Sequence, residues 1–440
     1  MIILREHFGN KFKAKDRYLL SNRNESISNQ IFVNGTIEKL FSDKTDTFCY
    51  KLSQSEDGKC QFETGYYIGV DWIGETNVPI YVQPKVNNED IEIDYLFMLF
   101  EALEEPKNFE HLEALYTIDF DAPLLEIEQY QDQLTPLLLL EYLQILKKIV
   151  NKGLKKSYYK VTRNLNAKVK GKILVNGTLK LNHSKQKMLY TVCQYEEFGY
   201  NSIENKILKK ALLFTRSALD KIKTNSKINL NEVFNYISPV FENIEEEVDI
   251  RVLKSSKPNP MFKEYTQALK LAKLILKKYG YNISNTKANK IKTPPFWIDM
   301  PKLFELYVFK KLREEFRGKG EVVYHQKVNR QEPDYIIKSE DNTCKFVVDA
   351  KYKPYYEDQE IQMRDARQVS GYARMEKMYK LLGEEDSNKV LDCLIIYSHQ
   401  NQNKNIKKDN LHLDAYKHYV NFYRYGIKLP EILSRIPKSS

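Results

Sequence analysis

Residues 333–353, PDYIIKSEDNTCKFVVDAKYK, place two aspartates and a lysine where an extended chain can gather them. Strand side chains alternate between faces, so Asp349 and Lys351 project to one side while Val348, Ala350 and Tyr352 project to the other. The SEDNT turn folds that strand back on DYIIK, which brings Asp334 beside Asp349. Two carboxylates are hard oxygen ligands of the kind Mg²⁺ takes, and water on such an ion becomes a better nucleophile as its pKa falls. A lysine next to them would orient or deprotonate the attacking water and offset charge developing on a phosphate. The chemistry this pattern suits is hydrolysis of a phosphate ester.

A third carboxylate comes from the segment before. In MPKLFELYVFKKLREEF, helical spacing puts Glu305 on one stripe with Val308, Phe309, Leu312 and Phe316, the apolar side. An acid there needs a metal or a lysine as partner, because an unpaired buried carboxylate is expensive. Downstream, Ile361, Asp365, Gln368, Tyr372, Met375 and Tyr379 form another stripe, which puts Gln368 and Tyr372 where they could contact a metal-bound water, Lys351 or a substrate. Asp-x-Lys alone is a short pattern that arises by chance. A helix Glu, a Pro-Asp, a strand ending in DAK and a helix with Gln and Tyr, in this order, are far more specific.

The elements that must position these groups read as a helix at Met300–Phe316, strands at Val322–Lys327, Asp334–Lys338 and Lys345–Lys353, a helix at Glu360–Leu382 and a strand at Val390–Ser398. Together they predict an α/β core within residues 293–440. Residues 1–95 read as a small β-rich module, with strands in QIFVNGTIEKLF, TFCYKL, GYYIGVDWIG and VPIYVQPKV. Residues 96–292 read as a largely helical middle domain, with amphipathic helices at Leu134–Val150, Asn201–Lys223 and Pro258–Tyr279 and a polar boundary in NISNTKANKIKTPP. Between the first two helices, YYKVTRNLNAKVKGKILVNGTLKLN suggests a basic β-hairpin-like insertion. The fold class expected is multidomain α+β.

The Asp334 and Asp349-Ala350-Lys351 halves resemble the PD-(D/E)xK nuclease motif, and the wider chain resembles the McrC family, the nuclease subunit of McrBC-type modification-dependent restriction systems. The resemblance runs through GYYIGVDWIG and VPIYVQPK, then KVKGKILVNGTL and CQYEEFGYNSIENKILKKAL, and most specifically PKLFELYVFKKL, PDYII, VVDAKYK and ARQVSGYAR. It implies Asp334, Asp349 and Lys351 as catalytic, with Glu305 and Gln368 as auxiliary positions. Asp334, Asp349 and Glu305 are the implied ligands of Mg²⁺, with Mn²⁺ as an alternative. It also implies a hexameric McrB-like AAA+ GTPase partner, contacted through the N-terminal part, whose hydrolysis is stimulated and which recognises methylated cytosine. The chain contains no G-x-x-x-x-G-K-[ST] phosphate loop, so GTP would be bound by the partner. Two rival expectations are a non-catalytic DNA-binding adaptor that stimulates an AAA+ motor, and a stand-alone repair nuclease.

The charge distribution agrees with a polyanion as ligand. The net charge is +10, but Tyr81–Val150 carries four basic and fifteen acidic residues, whereas Asn151–Tyr190 carries eleven basic and none acidic. That second block, residues 151–190, suits double-stranded DNA, with Arg163, Lys168, Lys170 and Lys172 as candidate contacts beside Tyr372 of the nuclease region. The alternative is a solvated lysine-rich face, or one lying against the chain's own acidic segment. The longest apolar run, Tyr95–Phe100, is far short of a membrane span. MIILREHFGNKFKAK lacks the order of a secretory signal, and five scattered cysteines predict reduced thiols and a cytoplasmic setting. Seven histidines show no zinc spacing, and His325, in VVYHQK just before the proposed site, reads first as an ordinary hydrogen-bonded strand histidine and second as a group that could approach a phosphate. No nucleophile elbow points to acyl transfer.

Overall fold

The computed structural model describes residues 2–7, 36–42, 47–54, 60–74, 78–88, 91–119, 122–128, 134–222, 230–247, 263–282, 290–325, 332–353, 361–386, 388–403 and 405–432. The chain divides into two compact units: Met1–Asp132 together with Lys290–Ser440, and Gln133–Asn289. The three expected segments, 1–95, 96–292 and 293–440, are thus grouped differently here. Residues 96–132 and 290–292 fall in the first unit, and strand pairing gives the reason, as shown below.

The first stretch of unit one is β-rich, as its alternating apolar residues predict. It contains β1 (Ile2–Arg5), β2 (Ile37–Leu40), β3 (Phe48–Gln54), β4 (Cys60–Thr64), β5 (Tyr67–Trp72) and β6 (Pro79–Gln83). Helix α1 (Tyr95–Ala102) follows, capped by Asp94, whose carboxylate accepts from Phe97 N at 2.8 Å. Strands β7 (Tyr116–Ile118) and β8 (Leu125–Glu128) close the stretch. The expected strand in QIFVNGTIEKLF begins outside the described residues, and its described part is β2.

Unit two opens with α2 (Leu134–Lys152), then β9 (Ser157–Asn166), β10 (Lys172–Ile173), α3 (Val175–Leu181), β11 (Tyr190–Gly199), α4 (Ile203–Ile222), α5 (Asn231–Ile237) and α6 (Lys263–Asn282). Residues 258–262, the start of the third expected helix, and Lys223, the end of the second, lie outside the described residues. Helices α2, α4 and α6 pack through Leu139, Leu143, Leu146, Ile207, Ala211, Ala268 and Ile275, all buried. Within that core Asn205 bonds the carbonyls of Lys155 and Tyr200 and accepts from Tyr265 Oη.

The basic insertion is more than a hairpin. Strand β9 pairs antiparallel along ten residues with β11, while β10 pairs with the other edge of β11. The stretch Val175–Leu181, expected in the hairpin, is a helix instead. Val175 and Leu179 are spaced four apart, which serves a two-residue and a helical period alike, and tertiary contacts decide: Thr178 is buried and its hydroxyl accepts from Val192 N.

The chain then returns to unit one with β12 (Lys290–Thr293), which pairs with β8, and β13 (Phe296–Asp299), which lies between β5 and β7. The resulting sheet has the order β1-β6-β5-β13-β7. These pairings draw residues beyond 95 into unit one: half of the sheet's centre is supplied from a point more than two hundred residues downstream. Trp297 of β13 is buried among Leu4, Tyr50, Ile80 and Val82, and its indole donates to Asp71 Oδ2 at 2.9 Å. A Cβ at Gly69 would meet Phe296 O at 2.0 Å, so only glycine lets β5 and β13 approach at this point.

Beyond it lie α7 (Met300–Glu315), β14 (Gly320–Tyr324), β15 (Tyr335–Ser339), β16 (Lys345–Lys351), α8 (Met363–Ala373), α9 (Glu376–Leu382), β17 (Asp392–Ser398) and β18 (Phe422–Ile427). The sheet order is β14-β15-β16-β17-β18, antiparallel up to β16 and parallel from β16 to β18. The parallel step is made through α8 and α9, whose Ala366, Val369, Met378 and Leu382 pack on Val347 and Ile395. One helix was expected over Glu360–Leu382, but the chain breaks it at Met375, which is extended (φ −79°, ψ 128°). Gly371 weakens the end of α8, and the break lets Met378 and Leu382 reach the sheet along a second direction. The strand expected at Val322–Lys327 ends at Tyr324, and 326–327 lie outside the described residues.

Candidate active site

The site is assembled at the end of the β14–β15–β16 meander, against the first turns of α7. Asp299 caps α7, its Oδ1 accepting from Lys302 N at 2.9 Å, with Pro301 in the first turn. Burial raises the Asp299 carboxyl to about 6, against the Lys302 amide bond that lowers it. Helical spacing then stacks Lys302 and Glu305 on one face, with Nζ 3.1 Å from Oε2. Val308, Phe309, Leu312 and Phe316 of the expected stripe are buried, and Glu305 sits at its edge, with a side chain 19% exposed.

Pairing of Tyr335 with Val348 places Asp334 opposite Asp349 at the open end of the two strands. Asp334 Oδ2 accepts from Ala350 N at 2.7 Å. Asp349 is buried, and its Oδ2 faces Lys351 Nζ at 2.5 Å. The ammonium donates onward to Gln368 Oε1 at 3.2 Å, and the Gln368 amide donates to Tyr372 Oη at 2.6 Å. Two strands and a helix therefore bring together Asp334, Asp349, Lys351, Gln368 and Tyr372 as the spacing predicted, with Glu305 approaching from α7.

The electrostatics follow from burial and crowding of like charge. Asp334 is pushed well above the usual carboxylate range, first by desolvation, then by the charges of Asp349 and Glu305. Asp349 is raised by burial, with Lys351 opposing the rise. Glu305 moves the other way: desolvation would raise it, but the hydrogen bond with His325 and the Lys302 charge hold it below the ordinary value. Lys351 is raised; burial disfavours its charge, yet the neighbouring Asp349 outweighs that. It is therefore held as a cation, which suits it to stabilising charge and not to removing a proton.

Two residues outside the expected set lie in the cluster. His325, read from sequence as an ordinary strand histidine, has Nε2 3.2 Å from Glu305 Oε2, 3.4 Å from Lys302 Nζ and 4.0 Å from Asp334 Oδ1. Its ring stacks on Tyr324, whose Oη donates to Glu305 Oε2 at 3.3 Å. The signal for Lys302 was its three-residue spacing from Glu305; for His325 it was a position just past the strand that leads to Asp334. Ligand atoms of Glu305, His325 and Asp334 all lie within 4.8 Å of one another, a donor set able to hold a divalent cation.

The other expected contacts lie in unit two. Arg163, Lys168, Lys170 and Lys172 are all exposed on or beside the β10-β11-β9 sheet. Lys170 Nζ lies 4.1 Å over the Tyr195 ring, and Arg163 is 3.8 Å from Glu197, so part of this face is neutralised locally. Apolar side chains stand among the lysines, Val169, Met188 and Leu189 being more than 60% exposed. Among the described residues no helix is long and apolar enough to cross a membrane.

A family model described as McrBC 5-methylcytosine restriction system component matches residues 63–382. Two solved assemblies from Thermococcus gammatolerans are similar to the chain. One is a refined half-complex from a tetradecameric assembly of McrB AAA+ hexamers with bound McrC, at 16% identity over 84% of this chain and 79% of that one, with a TM-score of 0.35. The other is the cryo-EM structure of the McrBC complex, at 16% identity over 71% of this chain and 87% of that one, with a TM-score of 0.26. No curated protein matches.

Proposed function

We propose that this chain, which belongs to the McrBC family of 5-methylcytosine restriction system components, is the DNA-cutting subunit of such a system and hydrolyses phosphodiester bonds with a PD-(D/E)xK site. The observation that carries the reading is the buried Asp349–Lys351 pair beside Asp334, with Glu305 across from them. Asp334, raised by burial and by the charges of Asp349 and Glu305, is costly to keep beside them unless a cation is meant to join the group. Asp334, Asp349 and Glu305 would hold Mg²⁺. When bound, that ion supplies a Lewis acid and a more acidic water.

The chain's own residues do the rest. Lys351, fixed between Asp349 and Gln368, directs a permanent positive charge toward the phosphate as it becomes more negative. Gln368 is in turn fixed by Tyr372, so the ammonium keeps one orientation. The exposed lysines of the β10-β11-β9 sheet, with Arg163, would contact the DNA backbone without reading sequence. Family membership supports a second component, an McrB-like hexameric AAA+ GTPase that carries the nucleotide and recognises the modified cytosine.

Plasmid cleavage with Mg²⁺, GTP and the AAA+ partner tests this. Wild type is expected to cut methylated DNA, and Asp349→Ala to lose cutting while it still binds the partner and stimulates its GTPase. Normal cutting by Asp349→Ala removes the site proposed. Absence of cutting by either protein, with GTPase stimulation intact, favours a non-catalytic adaptor.

A further inference from the structure

We propose that the divalent cation of this centre is held by a nitrogen ligand as well as oxygens, with His325 joining Glu305 and Asp334, so that the site takes Mn²⁺ more tightly than Mg²⁺. The inference rests on the nuclease reading for its purpose, but its geometry stands separately. Three different elements supply the donors: α7 gives Glu305, the residue after β14 gives His325, and the residue before β15 gives Asp334.

Asp349 Oδ2 faces Lys351 and Asp334 Oδ2 accepts from the Ala350 amide, which leaves Asp334 Oδ1 turned toward His325 Nε2. The other ring nitrogen, Nδ1, lies 3.6 Å from Glu332 Oε1. Either ring nitrogen of a histidine can carry the proton, so the hydrogen that Nε2 shares with Glu305 Oε2 at 3.2 Å can pass to Nδ1, beside Glu332, when Nε2 takes up a cation. Lys302 marks the same spot. Its ammonium lies 3.1 Å from Glu305 Oε2 and 3.4 Å from His325 Nε2, at a position that attracts positive charge. A divalent ion entering there displaces the ammonium.

His325 is also held for the task. Its backbone N donates to Asp334 O at 3.0 Å, which ties the two residues together across the strand ends. Imidazole nitrogen binds first-row transition ions more readily than Mg²⁺, a hard ion that prefers oxygen and keeps its waters; Mn²⁺ is the weakest binder of that series but accepts nitrogen where Mg²⁺ does not.

The test uses the full chain, stripped with EDTA and loaded with Mn²⁺, with pulsed EPR to detect nitrogen modulation from a coordinated imidazole. Modulation is expected in wild type and not in His325→Gln, whose Mn²⁺ affinity by titration calorimetry falls at least about tenfold. Wild-type Mn²⁺ without nitrogen modulation overturns the proposal, as does modulation that survives in His325→Gln, which would assign the nitrogen elsewhere. Mn²⁺ binding that depends on Asp334 but shows no nitrogen refutes the histidine ligand and leaves the nuclease reading standing. Cutting by Asp349→Ala strikes the nuclease reading and leaves the histidine ligand to be judged by the wild-type spectrum.

Discussion

Lys351→Met should destabilise unit one far more than Asp349→Asn does, although both break the same ion pair. Asp349 is buried with its Oδ2 2.5 Å from Lys351 Nζ, and Asp334 and Glu305 add like charge around it. At an effective dielectric constant of ~20 the pair attraction at that distance is about 7 kcal/mol before desolvation is subtracted. Removing only the lysine leaves a buried carboxylate unpaired among other carboxylates, a loss of about 3 to 5 kcal/mol. Removing only the carboxylate charge relieves that repulsion and leaves Lys351 with Gln368, so the cost should be about 1 kcal/mol. The double variant should recover much of the Lys351→Met loss.

The deficit has a pH signature. The native carboxyl of Asp349 is already raised by burial, and loss of Lys351 raises it further. The native state then binds its proton at a higher pH than the unfolded chain, so the deficit is absent below the unfolded value near ~3.9 and grows as pH rises through the native one. Urea unfolding at pH 5 and pH 8 in EDTA measures it. The protein's two tryptophans, Trp72 and Trp297, both lie in unit one, so their fluorescence reports that unit alone. A Lys351→Met deficit equal at both pH values, or one matched by Asp349→Asn, would refute the reasoning.

Gln368→Ala removes the contact that orients Lys351 but no charge, and is expected to lower kcat for plasmid cutting by roughly tenfold to a hundredfold with little change in KM. An unchanged kcat would exclude Gln368 as a positioning residue. Replacing Arg163, Lys168, Lys170 and Lys172 together by Gln should flatten the salt dependence of DNA affinity by about three to four in the slope of log K against log salt, since each phosphate contact contributes about 0.9. The Arg163–Glu197 pairing puts the expectation at the lower end, and a slope within error of wild type would assign this face to something other than DNA.

Local pattern determined much of this protein. The apolar runs YII and FVV marked the strands around Asp334 and Asp349, which are buried on both faces, and the alternation of strand side chains put Asp349 and Lys351 on one side. Spacing of three and four marked α2, α4 and α7 and put Gln368 and Tyr372 on one stripe facing the site, where Gln368 bonds Lys351 and Tyr372 bonds Gln368. What pattern could not carry was pairing between distant segments. That β13 enters a sheet with β5 and β7 depends on Gly69, where a Cβ would strike the Phe296 carbonyl, and that Val175–Leu181 is helical depends on Thr178 reaching Val192. The break at Met375 follows from how α9 meets the sheet. His325 shows the limit most clearly: a histidine beside a strand has no period to reveal its neighbours, and only the convergence of α7, β14 and β15 sets its Nε2 3.2 Å from Glu305 and 4.0 Å from Asp334. Residue types and short spacings are local properties of a chain. The distances between elements that turn those residues into a site are properties of packing, and packing is decided by the whole fold.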